Sequence, residues 1–210
     1  MTGVQTCALP ICLAERDRHQ NDLDEAVERF ICQSTRELIE ELCEKCAEVE
    51  EMPVVGAEGH DSETAATQRV IALRTKVVCV PVRDEADEIV GTMLAQLLER
   101  NGHEAQCISL GTTLETLEQI VNENPDVVFL SALPPFALTY ARTLYKKVRA
   151  RLPDVRIVIG VWNFSEVDKL SIRLALDNHG KGVTTLRAAL AEVRGYPVIE
   201  GTNSSFALAT

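Results

Sequence analysis

The chain has 210 residues, of which 46% are hydrophobic and 25% charged, the composition of a globular protein with one good core. Its formal net charge of −11 argues against a nucleic-acid partner held by bulk electrostatics. No apolar run approaches the roughly 20 residues that a membrane helix needs. The seven cysteines follow no disulfide framework, so we expect reduced thiols in a cytoplasmic setting.

Residues 1–11 read MTGVQTCALPI and show neither a signal-peptide pattern nor helical periodicity. They resemble the translation of a common sequencing adapter, with a GTG codon read as Met1. We therefore expect an artefactual leader, and a native protein whose upstream part is missing before Cys12.

Residues 12–52 hold 13 acidic and 5 basic residues and predict an acidic helical segment. Asn21 or Asp22 is the expected N-cap of one long amphipathic helix. Its apolar stripe consists of Leu23, Ala26, Val27, Phe30, Ile31, Leu38, Ile39, Leu42 and Cys46, interrupted by Ser34 and Thr35. The upstream chain, the next domain or a second copy of the protein are the candidates to cover this stripe. Cys43 and Cys46 form a CxxC pair, but no second cysteine pair or nearby histidine supports a metal site.

Residues 53–75 predict a flexible linker, residues 76–194 an α/β domain, and residues 195–210 a disordered tail. The expected strands are Lys76–Pro81, Glu104–Leu110, Asp126–Leu130, Val155–Gly160 and Val183–Thr185. The expected helices are Glu85–Asn101, Thr113–Asn124, Pro135–Arg151, Glu166–Asp177 and Leu186–Arg194. Apolar strands alternating with helices predict a doubly wound, flavodoxin-like parallel sheet of five strands in the order 2-1-3-4-5.

A ligand crevice is expected at the carboxyl ends of the first and third strands, where the winding reverses. The first loop brings Arg83, Asp84, Glu85 and Asp87, and the second loop brings Ser131 and Leu133. The first loop has no glycine-rich phosphate cradle, which argues against a dinucleotide. Two interpretations stay open: the acidic residues stabilise the start of a helix and pair with Arg83, or they bind a cationic or zwitterionic metabolite.

The α/β region resembles cobalamin-binding domains, which carry D-x-H-x-x-G, S-x-L and G-G motifs after the first, third and fourth strands. Ser131-Ala132-Leu133 matches S-x-L, and Gly160 matches the first glycine of G-G. Asp87 stands where the cobalt-ligating histidine belongs, Val161 replaces the second glycine, and Trp162 follows it. The resemblance implies a retained fold that has lost its metal ligand, with Val161 narrowing the slot for the nucleotide tail. None of the four histidines (His19, His60, His103 and His179) is expected in the crevice. A domain without cofactor is therefore the first expectation, and a domain that binds cobalamin is the alternative.

A further resemblance is to the cytosolic C-terminal domain of autoinducer-2 exporter-like permeases. It rests on Leu13–His19, Glu28–Ile31, Arg36–Glu41, Val82–Glu88, Met93–Leu98 and Ser131–Phe136. It implies a non-catalytic sensing or regulatory domain at the inner side of a membrane. The expected partners are the membrane-embedded part of the same native chain and a second copy of the domain. The alternative function is a cobalamin-binding domain of a corrinoid-dependent enzyme subunit or of a transcription regulator.

A basic cluster closes the helix predicted after the third strand: Lys146, Lys147, Arg149 and Arg151. Positive charge at a helix C-terminus is favourable by itself. An anionic lipid or an acidic partner is the other interpretation of this cluster.

Overall fold

The computed structural model describes residues 2–20, 22–50, 74–162, 164, 173–174 and 176–194. The helices with described bounds are α1 (Thr2–His19), α2 (Glu25–Glu50), α3 (Glu85–Arg100), α4 (Thr113–Glu123), α5 (Ala137–Arg151) and α6 (Leu186–Arg194). The strands are β1 (Lys76–Pro81), β2 (Glu104–Cys107), β3 (Val127–Ala132), β4 (Arg156–Val161) and β5 (Gly180–Val183). Most of the predicted helix 166–177, the predicted linker up to residue 73, and the predicted tail lie outside the described residues.

The five strands form one sheet in which every neighbouring pair is parallel, in the order β2-β1-β3-β4-β5. The central strands β1 and β3 consist almost entirely of buried apolar residues, as expected where helices cover both faces of a sheet. The predicted doubly wound, flavodoxin-like architecture is confirmed.

Two predicted strand positions need correction. β2 ends at Cys107 rather than at Leu110. β5 begins and ends earlier than predicted, because Gly180 to Val183 pair with β4 while Thr184 and Thr185 lie beyond the strand. Two glycines in four residues give a weak strand pattern, so pairing with β4 decides the position of β5 and local propensity does not.

Successive residues of each strand face opposite sides of the sheet, and this alternation divides the core into two clusters. The strand residues that face α1, α2, α3 and α6 include Cys79, Phe129 and Val158, and Trp162 just beyond β4. Those that face α4 and α5 include Val80, Leu130, Ile159 and Val161. Neighbouring residues of β4 therefore belong to different layers of the molecule.

The acidic segment contains two helices instead of the one predicted. The predicted leader, from Thr2 onward, belongs to α1. Ile11, at 1% exposure, packs in the same core as α3. α2 begins after Asp24, whose Oδ1 accepts a hydrogen bond from the amide of Ala26 at 2.8 Å, so the N-cap is neither Asn21 nor Asp22. The N-terminal helices α1 and α2 thus pack on the α/β domain.

The buried face of α2 differs from the predicted stripe. Cys32, Thr35 and Ile39 are buried, and Thr35 satisfies its hydroxyl by donating to the carbonyl of Ile31 at 2.7 Å. Phe30 is 69% exposed and Leu38 53% exposed. A hydroxyl bonded within its own helix is compatible with burial, which is why Thr35 belongs to the packed face and does not interrupt it.

Within the described residues, no helix is both long enough and apolar enough to cross a lipid bilayer.

Candidate functional site

The predicted crevice lies at the carboxyl ends of β1 and β3, where the β1–α3 loop faces the segment after β3. Asp84 caps α3 and accepts a hydrogen bond from the amide of Asp87 through Oδ1 at 3.3 Å. The amide of Val82 donates to the carbonyl of Ser131 at 3.1 Å. The backbone hydrogen bond between the loops and the helix cap therefore fix the positions of the two loops.

Asp87 is buried and joins these two loops. Its Oδ1 accepts from the amide of Leu133 at 2.7 Å, and its Oδ2 accepts from the amide of Arg83 at 2.9 Å. Burial, and to a lesser extent the nearby Asp84, raise the pKa of Asp87, the two amide hydrogen bonds act in the opposite direction, and the net result is a pKa of about 8. At 3% exposure, the carboxyl that stands in place of the resembled family's metal-ligating histidine is turned into the protein and bonded to its backbone.

Trp162 lies over Gly160 and Ser131, the small residues that the sequence predicted to line the slot after the third and fourth strands. Gly160 lies opposite Ser131 in the sheet, and a Cβ at Gly160 would overlap the ring atoms of the Trp162 indole. The indole Nε1 donates to Ser131 Oγ at 2.9 Å, and the ring stacks on Phe129 with centroids 5.8 Å apart. Trp162 is 3% exposed, so it is a packed part of the core.

The predicted role of Val161 is wrong. Its side chain faces α4 and α5, on the side of the sheet away from Ser131 and Gly160, and it is fully buried there. The residue that occupies the space beside Gly160 is Trp162, two positions further along the alternation and on the same face.

The end of α1 lies over the β1–α3 loop and contributes a charged cluster. Arg18 forms ion pairs with Asp84 at 2.7 Å and with Glu28 of α2 at 3.2 Å. Glu15 is 4% exposed and lies 2.8 Å from the imidazole of His19. Arg18 therefore compensates part of the charge of the acidic loop from α1, a helix that the sequence did not predict at this position.

His19 lies at the crevice, contrary to the prediction that no histidine does. Its Nε2 is 2.8 Å from Nη1 of Arg83, and its ring meets Phe136 edge to face with centroids 5.0 Å apart. The Arg83 guanidinium stands 5.3 Å above the Phe136 ring and 5.4 Å above the Tyr140 ring. Arg83 pairs with groups of α1 and with these rings; the acid of its own loop, Asp84, is further away at 3.9 Å.

The other predicted site residues are also part of packing contacts. Glu85 pairs with Arg36 of α2 at 3.1 Å, and Leu133 is 5% exposed in the cluster beneath α3. Cys43 is exposed, and among the described residues no group of three or more histidine, cysteine or acidic side chains could hold a metal ion. Ser131 Oγ is fully buried and accepts a hydrogen bond from the Trp162 indole.

No family model matches the chain, and no curated protein matches it. Among solved structures it is similar to a protein described as a novel cobalamin-binding protein from Desulfitobacterium hafniense DCB-2. The identity is 14% and the TM-score 0.48, over 92% of this chain and 98% of that chain. The fold assignment rests on the sheet order itself, and the permease resemblance and the adapter origin of residues 1–11 stay predictions.

Proposed function

We propose that this chain is a non-catalytic sensing or regulatory domain with a cobalamin-binding-like architecture that works without cobalamin. The observation that carries the proposal is the position of Trp162. Its indole lies against Gly160, stacks on Phe129 and donates to Ser131, in the space that the resembled family keeps open for the nucleotide tail. Admitting such a tail would require a buried tryptophan to leave the core.

Asp87 supports the same proposal from the chemistry of the ligand set. Cobalamin domains of the resembled type supply a neutral imidazole to the metal. Here the corresponding carboxyl has both oxygens bonded to backbone amides and is almost fully buried. A ligand role would leave the amides of Arg83 and Leu133 without partners, which costs about 1–3 kcal/mol for each buried donor. The residues present do not fit the cofactor.

The sensing role is supported by the contacts between the N-terminal helices and the crevice loops. Arg18 pairs with Asp84, and Arg36 pairs with Glu85, so both residues that open α3 are tied to α1 or α2. A ligand or partner that bound the β1–α3 loop would compete with these ion pairs. The sequence resemblance to permease domains supports placing the role in a membrane transporter, whose embedded part is the expected partner.

The cofactor proposal is tested by incubating the purified protein with hydroxocobalamin, removing free ligand on a desalting column and recording the visible spectrum. We expect no retained colour. The Trp162→Phe variant, which keeps an aromatic ring but removes the hydrogen bond to Ser131, serves as the matched control and should also stay colourless. Retention of one cobalamin per chain by the wild type would refute the proposal and favour the alternative, a corrinoid enzyme subunit or transcription regulator.

The transporter assignment has a separate test, which is the sequence of the full-length gene. We expect membrane-spanning helices upstream of Cys12. A DNA-binding helix-turn-helix in that position would contradict the transporter assignment and leave the cofactor result untouched.

A further inference from the structure

A basic groove lies on the outer side of α5, on the face of the sheet opposite to α1, α2 and α3. It has a volume of about 540 Å³ and is lined by Leu138, Thr139, Arg142, Thr143, Lys146 and Arg173. Small-molecule sites in proteins commonly measure about 300–1,000 Å³. The groove therefore has the size of a binding site, and it is separate from the crevice at the strand ends.

The charge of this groove stands out against the rest of the chain. The protein has a net charge of −11, yet α5 contains five basic residues and no acidic residue. Among the described residues that line the groove, Arg142, Lys146 and Arg173 are cationic and none is anionic. Arg142 and Lys146 lie one turn apart on α5, and an anion in the groove would relieve the repulsion between these two like charges.

Stabilisation of the helix end explains only part of this basic cluster. Arg149 donates to the carbonyls of Leu152, Pro153 and Val155, which follow the end of α5, and pairs with Asp177. The favourable effect of a cation on the helix dipole falls off within the last turn. Arg142 lies in the middle of α5, one turn before Lys146, where two like charges four residues apart disfavour the helix.

The groove cations differ in how they are held. The guanidinium of Arg173 stands 5.4 Å above the Phe164 ring. In contrast, neither Arg142 nor Lys146 forms an ion pair with any residue of the described part of the chain. One anchored guanidinium, one free guanidinium and one free ammonium suit a group with several negatively charged oxygens better than a single carboxylate.

We propose that the α5 groove binds a phosphate monoester, with Arg142 and Lys146 as its principal ligands. The phosphate belongs either to a free metabolite or to an anionic lipid headgroup. The same chemistry serves both sources, and the exposed position of α5 admits either. The proposal is independent of the cofactor-free crevice, because none of the described side chains that line the groove belongs to the crevice.

Binding is measured by titration calorimetry at low salt with phosphoethanolamine and glycerol 3-phosphate, two soluble phosphate monoesters, as free probes. Flotation with phosphatidylcholine vesicles containing phosphatidic acid measures lipid binding, with pure phosphatidylcholine vesicles as the blank. The test variant is the pair Arg142→Gln and Lys146→Gln. The matched control is the pair Lys147→Gln and Arg151→Gln, which removes the same charge from exposed positions of α5 outside the groove.

We expect the test pair to weaken binding by at least about tenfold, equivalent to about 1.4 kcal/mol, and the control pair to weaken it less than about threefold. Binding of the free probes alone, of the phosphatidic acid vesicles alone, or of both identifies the source of the phosphate and supports the proposal. Equal losses in both pairs would show a diffuse charge effect and overturn the proposal. The absence of binding to every probe would overturn it as well, and circular dichroism of both pairs shows whether α5 remains folded.

Discussion

The replacement Asp87→Asn tests whether the carboxyl between the crevice loops is a buried acid. Burial raises the pKa of Asp87 to about 8 from the ordinary value of 3.8. Between these two values the unfolded chain has lost the proton while the folded chain keeps it. The folded state therefore binds one more proton, and the stabilising contribution that is complete at low pH is lost as the pH rises towards 8.

The magnitude follows from the size of the shift. One proton of difference lowers the free energy of unfolding by about 1.4 kcal/mol per pH unit. From about pH 5.5 to about pH 7.5 the wild type should lose about 3 kcal/mol through this group. Asparagine keeps an oxygen for the amide of Leu133 but cannot accept from the amide of Arg83, a pH-independent loss of about 1–3 kcal/mol. Because the wild type begins to lose this contribution just above its ordinary pKa of 3.8, the variant should be less stable than the wild type at about pH 4 and more stable at about pH 7.5.

Urea denaturation followed by circular dichroism at a series of pH values gives both curves. Asp154→Asn is the matched control, since it makes the same charge change at an exposed position, and it should follow the wild type. Curves for wild type and Asp87→Asn that run parallel across this pH range would refute the view that Asp87 is a buried acid with a raised pKa.

Three other predictions concern packing and thiol reactivity. Trp162→Ala should lower the free energy of unfolding by about 3–5 kcal/mol in urea denaturation, and a loss below about 1 kcal/mol would show that the indole does not fill the core. Ile39→Ala should cost about 2–4 kcal/mol while Leu38→Ala should cost less than about 0.5 kcal/mol, because only Ile39 is buried; equal losses would contradict the orientation of α2. Cys43, which is exposed, should react rapidly with Ellman's reagent, whereas the half-buried Cys107, whose pKa burial raises to about 12, should react much more slowly. Equal labelling rates of the two thiols in the folded protein, measured by mass spectrometry, would contradict this.

The sheet could be predicted from the sequence because its strands and helices can be recognised from short stretches of residues. Runs such as Lys76–Pro81 and Val127–Ala132 are apolar throughout, which indicates strands covered on both faces, and helices of ordinary length separate them. The handedness of parallel crossovers then leaves few topologies. The exact position of β5 could not be predicted, because Gly180 and Gly182 have little strand propensity and their pairing with β4 is a tertiary property.

The interior of the candidate site was only partly predictable. Strand alternation from Gly160 would have placed Val161 on the opposite face and Trp162 beside the glycine, so this signal was present in the sequence. The contact of His19 with Arg83 had no comparable signal. It depends on how α1 packs, and residues 1–11 have no amphipathic pattern that would predict their packing.

The ion pair between Arg18 and Asp84 joins residues 66 positions apart in the chain. Asp84 also caps α3, so a change of this residue alone would disturb a helix start and remove one of the carboxylates that pair with Arg18. We therefore expect substitutions at positions 18 and 84 to occur together. In an alignment of homologues, loss of the acid at position 84 should accompany loss of the arginine at position 18. Such covariation would show that the N-terminal helix and the α/β domain evolved together.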